Sequence, residues 1–457
     1  MKLLKPKIGL LGLTLNLYRK NLPEYLPGMK KLSHNLSTRL SHLAEVKSWP
    51  VAWNQNTAGQ AVSFFHKEKV DGVVIVFLSY ATSLSVLPVL KVLRKPLLLW
   101  NTQKVKTVSL DFSSKDLMEN HGIHGVQDLA SVLLREGINF HLITGHWREE
   151  KTLARIKKWC LAASASSKVS QARIGRVGGR FREMGDFALP DTVLTKWMGT
   201  KVIDLDSSFL RIKTEDTSVR KNFWQQLGYV EKGKISAEIK NHSLAASYLL
   251  HRKMEEENLS GIAINFAGLR ENQIMPFFGI CQLLAAGYGY GGEGDIFSAT
   301  VVFLSQIISG RQTTFTEMFT ADFSRRRILM NHMGEANLNL RRPDLPVRLT
   351  VNHMKLGNNV PTIVPVFTLK PGVATLVNLT GTSSGLRLIT SKVKVLKSSP
   401  LKLDSPHFFL QPEKPVCDFL TSYSLAGGSH HLALAYGDWR ESIKYLGEMK
   451  KIPVVEI

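Results

Sequence analysis

Asp71-Gly72-Val73-Val74-Ile75-Val76-Phe77-Leu78 is a turn dipeptide followed by six apolar residues, of which four are β-branched. An unbroken apolar run of that length reads as a strand covered on both faces, the state of strands in a parallel sheet. Upstream, Ile8-Gly-Leu-Leu-Gly-Leu13 is a similar short run. Downstream, Leu97-Leu-Leu-Trp100 and Phe140 to Thr144 repeat the pattern. Between these runs the period changes. Leu32, Leu36, Leu40 and Leu43 recur at helical spacing within Met29 to Leu43. Leu84 to Leu93 is helical and stops before Lys95-Pro96, and Leu117 to Arg135 reads as one helix. Strands separated by helices of this length predict βαβ units and a parallel sheet.

The Ser/Ala-rich stretch Leu161 to Ser170 reads as a helix end running into a linker. A second α/β region is expected beyond it. Its strands would be Arg173 to Val177, Lys201 to Leu205 and Gly261 to Phe266. Its helices would be Asn241 to Asn258, Pro276 to Ala286 and Asp295 to Ser309. After about residue 325 the texture changes. Val347 to Val351, Thr362 to Thr368, Ala374 to Leu379 and Leu386 to Thr390 are short β-prone runs between Gly, Pro and Asn turns, which predicts a sandwich or barrel. A chain of 457 residues has room for about three domains, here placed at 1–168, 169–324 and 325–457.

Hydrophobic residues make up 44% and charged residues 21%, which excludes a disordered or collagenous chain. Cys160, Cys281 and Cys417 lie far apart, so neither a disulfide framework nor a Cys-x-x-Cys zinc clamp is expected, in keeping with a reducing, cytoplasmic setting. The apolar stretch from Ile8 to Leu17 does not read as a signal peptide: Pro6-Lys7 enter it, Asn16 interrupts it and no small-x-small cleavage site follows. No run approaches the roughly 18 residues of a membrane span. The formal net charge is +22, but its lysines and arginines are scattered, without the five or six like charges of a nucleic-acid tail, so a solvated basic surface is expected and nucleic acid is not.

The most unusual chemistry lies in Gly287-Tyr-Gly-Tyr-Gly-Gly-Glu-Gly-Asp295. It contains G-x-G-x-x-G at Gly287, Gly289 and Gly292, but a dinucleotide fingerprint requires a preceding strand, and a helix is expected there. Two other readings stand: a glycine-rich turn between helices, or a backbone folded tightly around one carboxylate, Glu293. Downstream lie Glu317 in Thr313-Thr-Phe-Thr-Glu317, His332 in Asn331-His-Met-Gly-Glu335, and Gly427-Gly-Ser-His430-His431. Two carboxylates and two imidazoles beside small residues would suit a divalent cation such as Mn²⁺, Co²⁺, Fe²⁺ or Zn²⁺. Glu335 is close enough in sequence to orient His332.

On these residues the chain resembles the L-arabinose isomerase/L-fucose isomerase group, and L-arabinose isomerase more closely. The group has a metal-binding glutamate in a Gly-rich Glu-Gly-Asp turn, a second in a Phe-x-Glu context, a histidine in a His-Met pair and another ending Gly-Gly-x-His-His. Glu293, Glu317, His332 and His431 match in order, 24, 15 and 99 residues apart. Weaker matches extend the resemblance: Leu17-Tyr18 after the first strand, Thr102-Gln103, His124-Gly125 and Gly145-His146-Trp147. Ala267-Gly268 stands where the group carries an acidic residue, and Phe181 where arabinose isomerases tend to have a pocket Met.

The resemblance implies two Rossmann-like α/β domains followed by a C-terminal β-barrel-like domain. It implies metal ligands Glu293, Glu317, His332 and His431, with Mn²⁺ as the cofactor, and Glu293 and Glu317 as catalytic residues. Leu17, Tyr18, His124, Phe181 and His430 would contact a monosaccharide, His124 across a subunit interface in a trimer or a dimer of trimers. The implied activity is aldose–ketose isomerisation through an enediolate. The rival reading is a non-catalytic sugar- or polyanion-binding protein on the same scaffold. A phosphosugar isomerase lacks a supporting phosphate motif such as G-x-x-x-x-G-K-[ST].

Overall fold

The computed structural model describes residues 5–211, 229–358 and 360–457. The chain forms two compact units, which divide between Ser167 and Lys168.

The first unit is a five-stranded parallel sheet of β1 (Lys7–Leu13), β2 (Glu45–Ala52), β3 (Gly72–Phe77), β4 (Leu97–Asn101) and β5 (His141–Thr144), in the order β2-β1-β3-β4-β5. Every residue of β3 is buried, as the apolar run at Val73 predicts. Glycines allow close layering on this sheet. A Cβ at Gly9 would lie 2.9 Å from the Phe65 ring, and one at Gly72 would lie 2.8 Å from Trp159. The expected helix Leu117 to Arg135 is two helices, Ser114–Asn120 and Gly122–Arg135, broken at His121. Gly122 opens the second helix pressed against β3, where a Cβ would meet the Phe77 carbonyl oxygen at 2.7 Å. The Ser/Ala-rich stretch is no linker. It lies inside a continuous helix, Glu150–Val169, where its small side chains are mostly buried. Small residues permit close packing without ending a helix.

The second unit opens with a parallel sheet of β6 (Arg173–Val177), β7 (Lys201–Leu205), β9 (Gly261–Ile264) and β10 (Gly289–Gly292), ordered β10-β9-β6-β7. Both parallel sheets are Rossmann-like. A small sheet joins β8 (Tyr229–Glu231), β13 (Val347–Asn352) and β14 (Thr362–Val366).

The remaining strands close on themselves. β11 (Thr313–Asp322), β12 (Arg327–Asn331), β15 (Gly372–Thr382), β16 (Gly385–Val395), β17 (Phe408–Pro412) and β18 (His431–Tyr436) form a six-stranded ring in the order β15-β18-β11-β12-β17-β16, closed by the long β15–β16 hairpin. β19 (Val454–Glu456) adds in parallel to β16. The barrel is the β-rich architecture expected of the C-terminal region, and its first strand begins at Thr313. Strand alternation gives β18 two faces. Leu432 and Leu434 join the apolar cluster with Ile328, Met330, Leu376 and Leu410. His431, Ala433 and Ala435 are left for the opposite face, and helix Ile296–Ser309 packs beside the same strand.

Candidate metal centre

Two of the expected ligands, Glu317 and His431, come together through strand register, and His332 follows the end of the neighbouring strand. In the β11–β18 ladder Glu317 is the direct partner of His431, and in the β11–β12 ladder it is the partner of Asn331, the residue before His332. Residues opposite one another in antiparallel strands hold their side chains on the same face about 5 Å apart. The distances follow. His431 Nε2 lies 3.4 Å and His332 Nε2 3.5 Å from Glu317 Oε1.

Glu293 arrives by a different route. Gly289–Gly292 is a strand, where the sequence suggested only a turn. It lies so close to the following helix that a Cβ at Gly289 would be 2.1 Å from the Ala299 carbonyl oxygen and one at Gly291 2.0 Å from that of Asp295. The chain then leaves the sheet through Glu293 at φ 59° and Gly294 at φ 80°. A left-handed glutamate is costly and persists only where its surroundings over-determine it. Here the Phe181 N–H donates to the Glu293 carbonyl at 3.0 Å. Asp295 caps the next helix, accepting from the Phe297 and Ser298 N–H groups at 2.9 and 3.0 Å. The turn carries Glu293 Oε2 to 3.5 Å from His431 Nε2. Of the readings left open for this stretch, the structure bears out a tight fold around one carboxylate.

Glu293, Glu317 and His431 therefore border one space, with the expected ligand His332 beside it against Glu317 rather than within the four-atom cluster, whose fourth member is His430. Its Nε2 is 3.4 Å from Glu293 and 3.8 Å from Glu317. One ligand atom each from Glu293, Glu317, His430 and His431 lies within 4.8 Å of the others. His431 is fully buried, whereas the His430 side chain is 37% exposed and forms the open side.

A shell of carboxylates holds the imidazoles. His332 Nδ1 is 2.7 Å from Glu335, which also accepts from the Gly334 N–H at 2.8 Å and the Tyr290 hydroxyl at 2.7 Å. His431 Nδ1 is 3.0 Å from Asp295, and His430 Nδ1 is 2.6 Å from Asp186. Each ring thus commits Nδ1 to a carboxylate and turns Nε2 toward the glutamate pair, the arrangement in which histidine ligates metals. Phe315 packs between two of the rings, 4.9 Å from both His332 and His431.

The fit to a cation can be judged from these donors. His431 Nε2 is buried without a hydrogen-bond partner, since its glutamate neighbours are close but poorly aligned. Carboxylate oxygens and imidazole nitrogens together suit a hard-to-borderline divalent ion. The electrostatics describe the same cluster with protons in the cation's place. Burial opposes charging of His430, but Asp186 and Glu293 outweigh it and raise its pKa to about 9. His431 is likewise buried and raised by Asp295, Glu293 and Glu317. Burial works against the Glu293 carboxylate, yet contact with His430 and His431 holds its pKa down at about 2. Glu317 is lowered for the same reasons.

The other expected sugar contacts fall in two places. Phe181 is half-buried beside the Glu293 turn, its ring 6.1 Å from that of Phe266. Leu17, Tyr18 and His124 belong to the first unit. Leu17 and Tyr18 lie on the short helix Asn16–Asn21, and the Tyr18 hydroxyl is 2.9 Å from His121 Nε2. His121 Nδ1 faces the carbonyl oxygens of Leu117 and Met118 at 3.1 Å, so it must be the donor. In the neutral ring Nε2 is then an acceptor, and Tyr18 donates to it. His124 is exposed, its ring 5.9 Å from His121 and 6.3 Å from Tyr80.

Sequence reading missed Asp186, Tyr290 and the role of Asp295. An Asp directly before an apolar helix is an N-cap signal that could have placed Asp295. Asp186, in an irregular loop 245 positions before His431, gave no signal.

Three family descriptions match the chain: the L-arabinose isomerase N-terminal domain at residues 19–171, the central domain at 210–311 and the C-terminal domain at 312–453. L-arabinose isomerase of Geobacillus thermodenitrificans is 26% identical over 383 residues, spanning 80% of this chain and 76% of the relative. L-arabinose isomerase 1 of Bacillus licheniformis is 25% identical, spanning 85% and 81%. The Anoxybacillus flavithermus L-arabinose isomerase is 26% identical, spanning 80% and 76%. Among the described residues no helix is long and apolar enough to cross a membrane. Matched along most of its length, the chain belongs to the L-arabinose isomerase family, and with it to the aldose–ketose isomerases.

Proposed function

We propose that the chain is a Mn²⁺-dependent isomerase that interconverts an aldopentose and its ketose through an enediolate. The observation that carries this reading is the meeting of Glu293 and Glu317 with imidazole Nε2 atoms whose opposite nitrogens are held by carboxylates. L-Arabinose is the first substrate to test, because the relatives bear that name.

Glu293, Glu317, His332 and His431 would hold the ion. Bound there, a divalent cation supplies Lewis acidity toward two vicinal sugar oxygens, worth several kcal/mol as negative charge builds on them. The rest is proton traffic. Going from aldose to ketose, C2 and O2 each lose a proton while C1 and O1 each gain one. One glutamate takes the proton from C2 and returns it to C1, and the other carries the proton from O2 to O1. Carboxylates poised in this way contribute about 10²–10⁴-fold. Cation capture at His332 and His431 requires neutral imidazoles, so binding of the ion would release their protons.

Phe181 and His430 would contact the sugar. His124 would serve a neighbouring copy's site in a homotrimer or dimer of trimers.

The test is conversion of a panel of aldoses by Mn²⁺-loaded protein. The expected result is turnover of at least one pentose, lost in Glu293→Gln and Glu317→Gln without loss of fold. Folded, metal-loaded protein that turns over no sugar would sink the reading.

A further inference from the structure

We propose that Asp186 is a positioning residue for the isomerisation, clamping His430 so that its Nε2 faces the reacting oxygens of the sugar. This rests on the isomerase reading. Asp186 lies in the loop between β6 and helix Asp191–Met198, while His430 immediately precedes β18. One carboxylate oxygen, Oδ2, accepts two hydrogen bonds from the same residue: the His430 backbone N–H at 3.0 Å and its Nδ1–H at 2.6 Å. Two bonds to one acceptor fix both the backbone and the ring torsions of His430. Phe187 reinforces the clamp, with its ring 5.8 Å from His430 and stacked on His431 at 5.5 Å and 18°.

The consequence is directional. With Nδ1–H committed to Asp186, Nε2 lies over the glutamate pair on the open side of the cluster. With His332 and His431 as the ion's imidazoles, as the resemblance implies, His430 Nε2 is left to face a sugar oxygen, as a donor in the protonated ring and an acceptor in the neutral one. Without Asp186 the ring could flip and present either nitrogen to Glu293. An Asp that fixes a histidine's tautomer and aim works in the same way in hydrolytic triads.

The experiment compares wild-type protein with Asp186→Asn, His430→Gln and the double variant, all Mn²⁺-loaded. Asp186→Asn should lower kcat about 10–100-fold, the usual cost of losing a partner that orients a site histidine. Mn²⁺ content and affinity should stay within threefold of wild type. The double variant should be no worse than His430→Gln alone, because the two residues act as one unit. Asp186→Glu should recover part of the loss. Nitrogen-15 NMR of the imidazoles should show a slowly exchanging His430 Nδ1–H that Asp186→Asn abolishes. Wild-type kcat in Asp186→Asn, additive losses in the double variant, or Mn²⁺ loss in step with activity would overturn the proposal. If wild-type protein turns over no aldose, the isomerase reading falls first, and calorimetric binding of pentitols decides the clamp. There, an Asp186→Asn dissociation constant equal to wild type, or no pentitol binding by wild type, overturns it.

Discussion

The barrel rim and the glycine turn deliver carboxylates to the same space by opposite means. Glu317 sits in a backbone ladder, opposite His431 on one side and, just before a register shift, Asn331 on the other. Glu293 sits at φ 59° after a strand of glycines pressed against a helix. A side chain placed by register is held by many backbone hydrogen bonds and tolerates local change. A side chain placed by a strained turn depends on a few neighbours having no Cβ.

The sharpest way to break this contrast is Gly291→Val. Its Cβ would fall 2.0 Å from the Asp295 carbonyl oxygen, a backbone atom that cannot step aside. A destabilisation of about 3 kcal/mol or more is expected in denaturant unfolding, with loss of Mn²⁺ binding. Thr316→Val on β11 should cost far less, and equal losses would refute the contrast.

The supporting carboxylates sharpen it. Glu335→Gln and Asp295→Asn each weaken the hold on one imidazole and should reduce Mn²⁺ affinity about 10–100-fold by calorimetry. Asp295→Asn should change helix stability little, since Asn is also a good N-cap. A variant that binds Mn²⁺ like wild type would remove its carboxylate from the shell.

The pH response tests whether both routes converge on one charge cluster. The His430 pKa is raised from 6.5 to about 9, so its contribution to stability is complete below pH 6.5 and is lost as pH rises through about 9. Asp186 and Glu293 are depressed to about 2, so theirs is present above about pH 4.5 and is lost as pH falls toward 2. Metal-free protein should therefore lose Tm between pH 6.5 and 9. The Tm increment from added Mn²⁺ should grow over the same window, because imidazolium protons compete with the ion. An increment that is flat across this window would contradict the shared cluster.

The smallest effect concerns strain. Metal-free Glu293→Gly should be more stable than metal-free Glu293→Gln by about 1 kcal/mol, because both lose the carboxylate and only the glycine relieves the left-handed backbone. Identical denaturation midpoints would mean that the turn is not strained.

What could be read in the sequence follows the same division. Val73 to Leu78 announced a buried parallel strand because β-branched apolar residues carry that signal. Two barrel strands, β15 and β16, were marked by their turns, whereas the expected runs at Val347 and Thr362 belong to the small sheet with β8. Gly289–Gly292 was invisible as a strand because glycine has poor β-propensity and was selected for close approach of a helix. The Ser/Ala tract imitated a linker because small residues serve packing and flexibility alike. In the site, Glu293, Glu317, His332 and His431 could be picked out by motif. Asp186 could not, since only the folded chain brings its loop to His430.

The pairing of Glu317 with His431 also has a bearing on how the protein acquires competence. A slip of one residue between these strands would send the two side chains to opposite faces while leaving most hydrogen bonds intact. Recovery of cation binding during refolding thus reports correct closure of the ring, and a collapsed but misregistered chain would be spectroscopically β-rich yet unable to capture the ion.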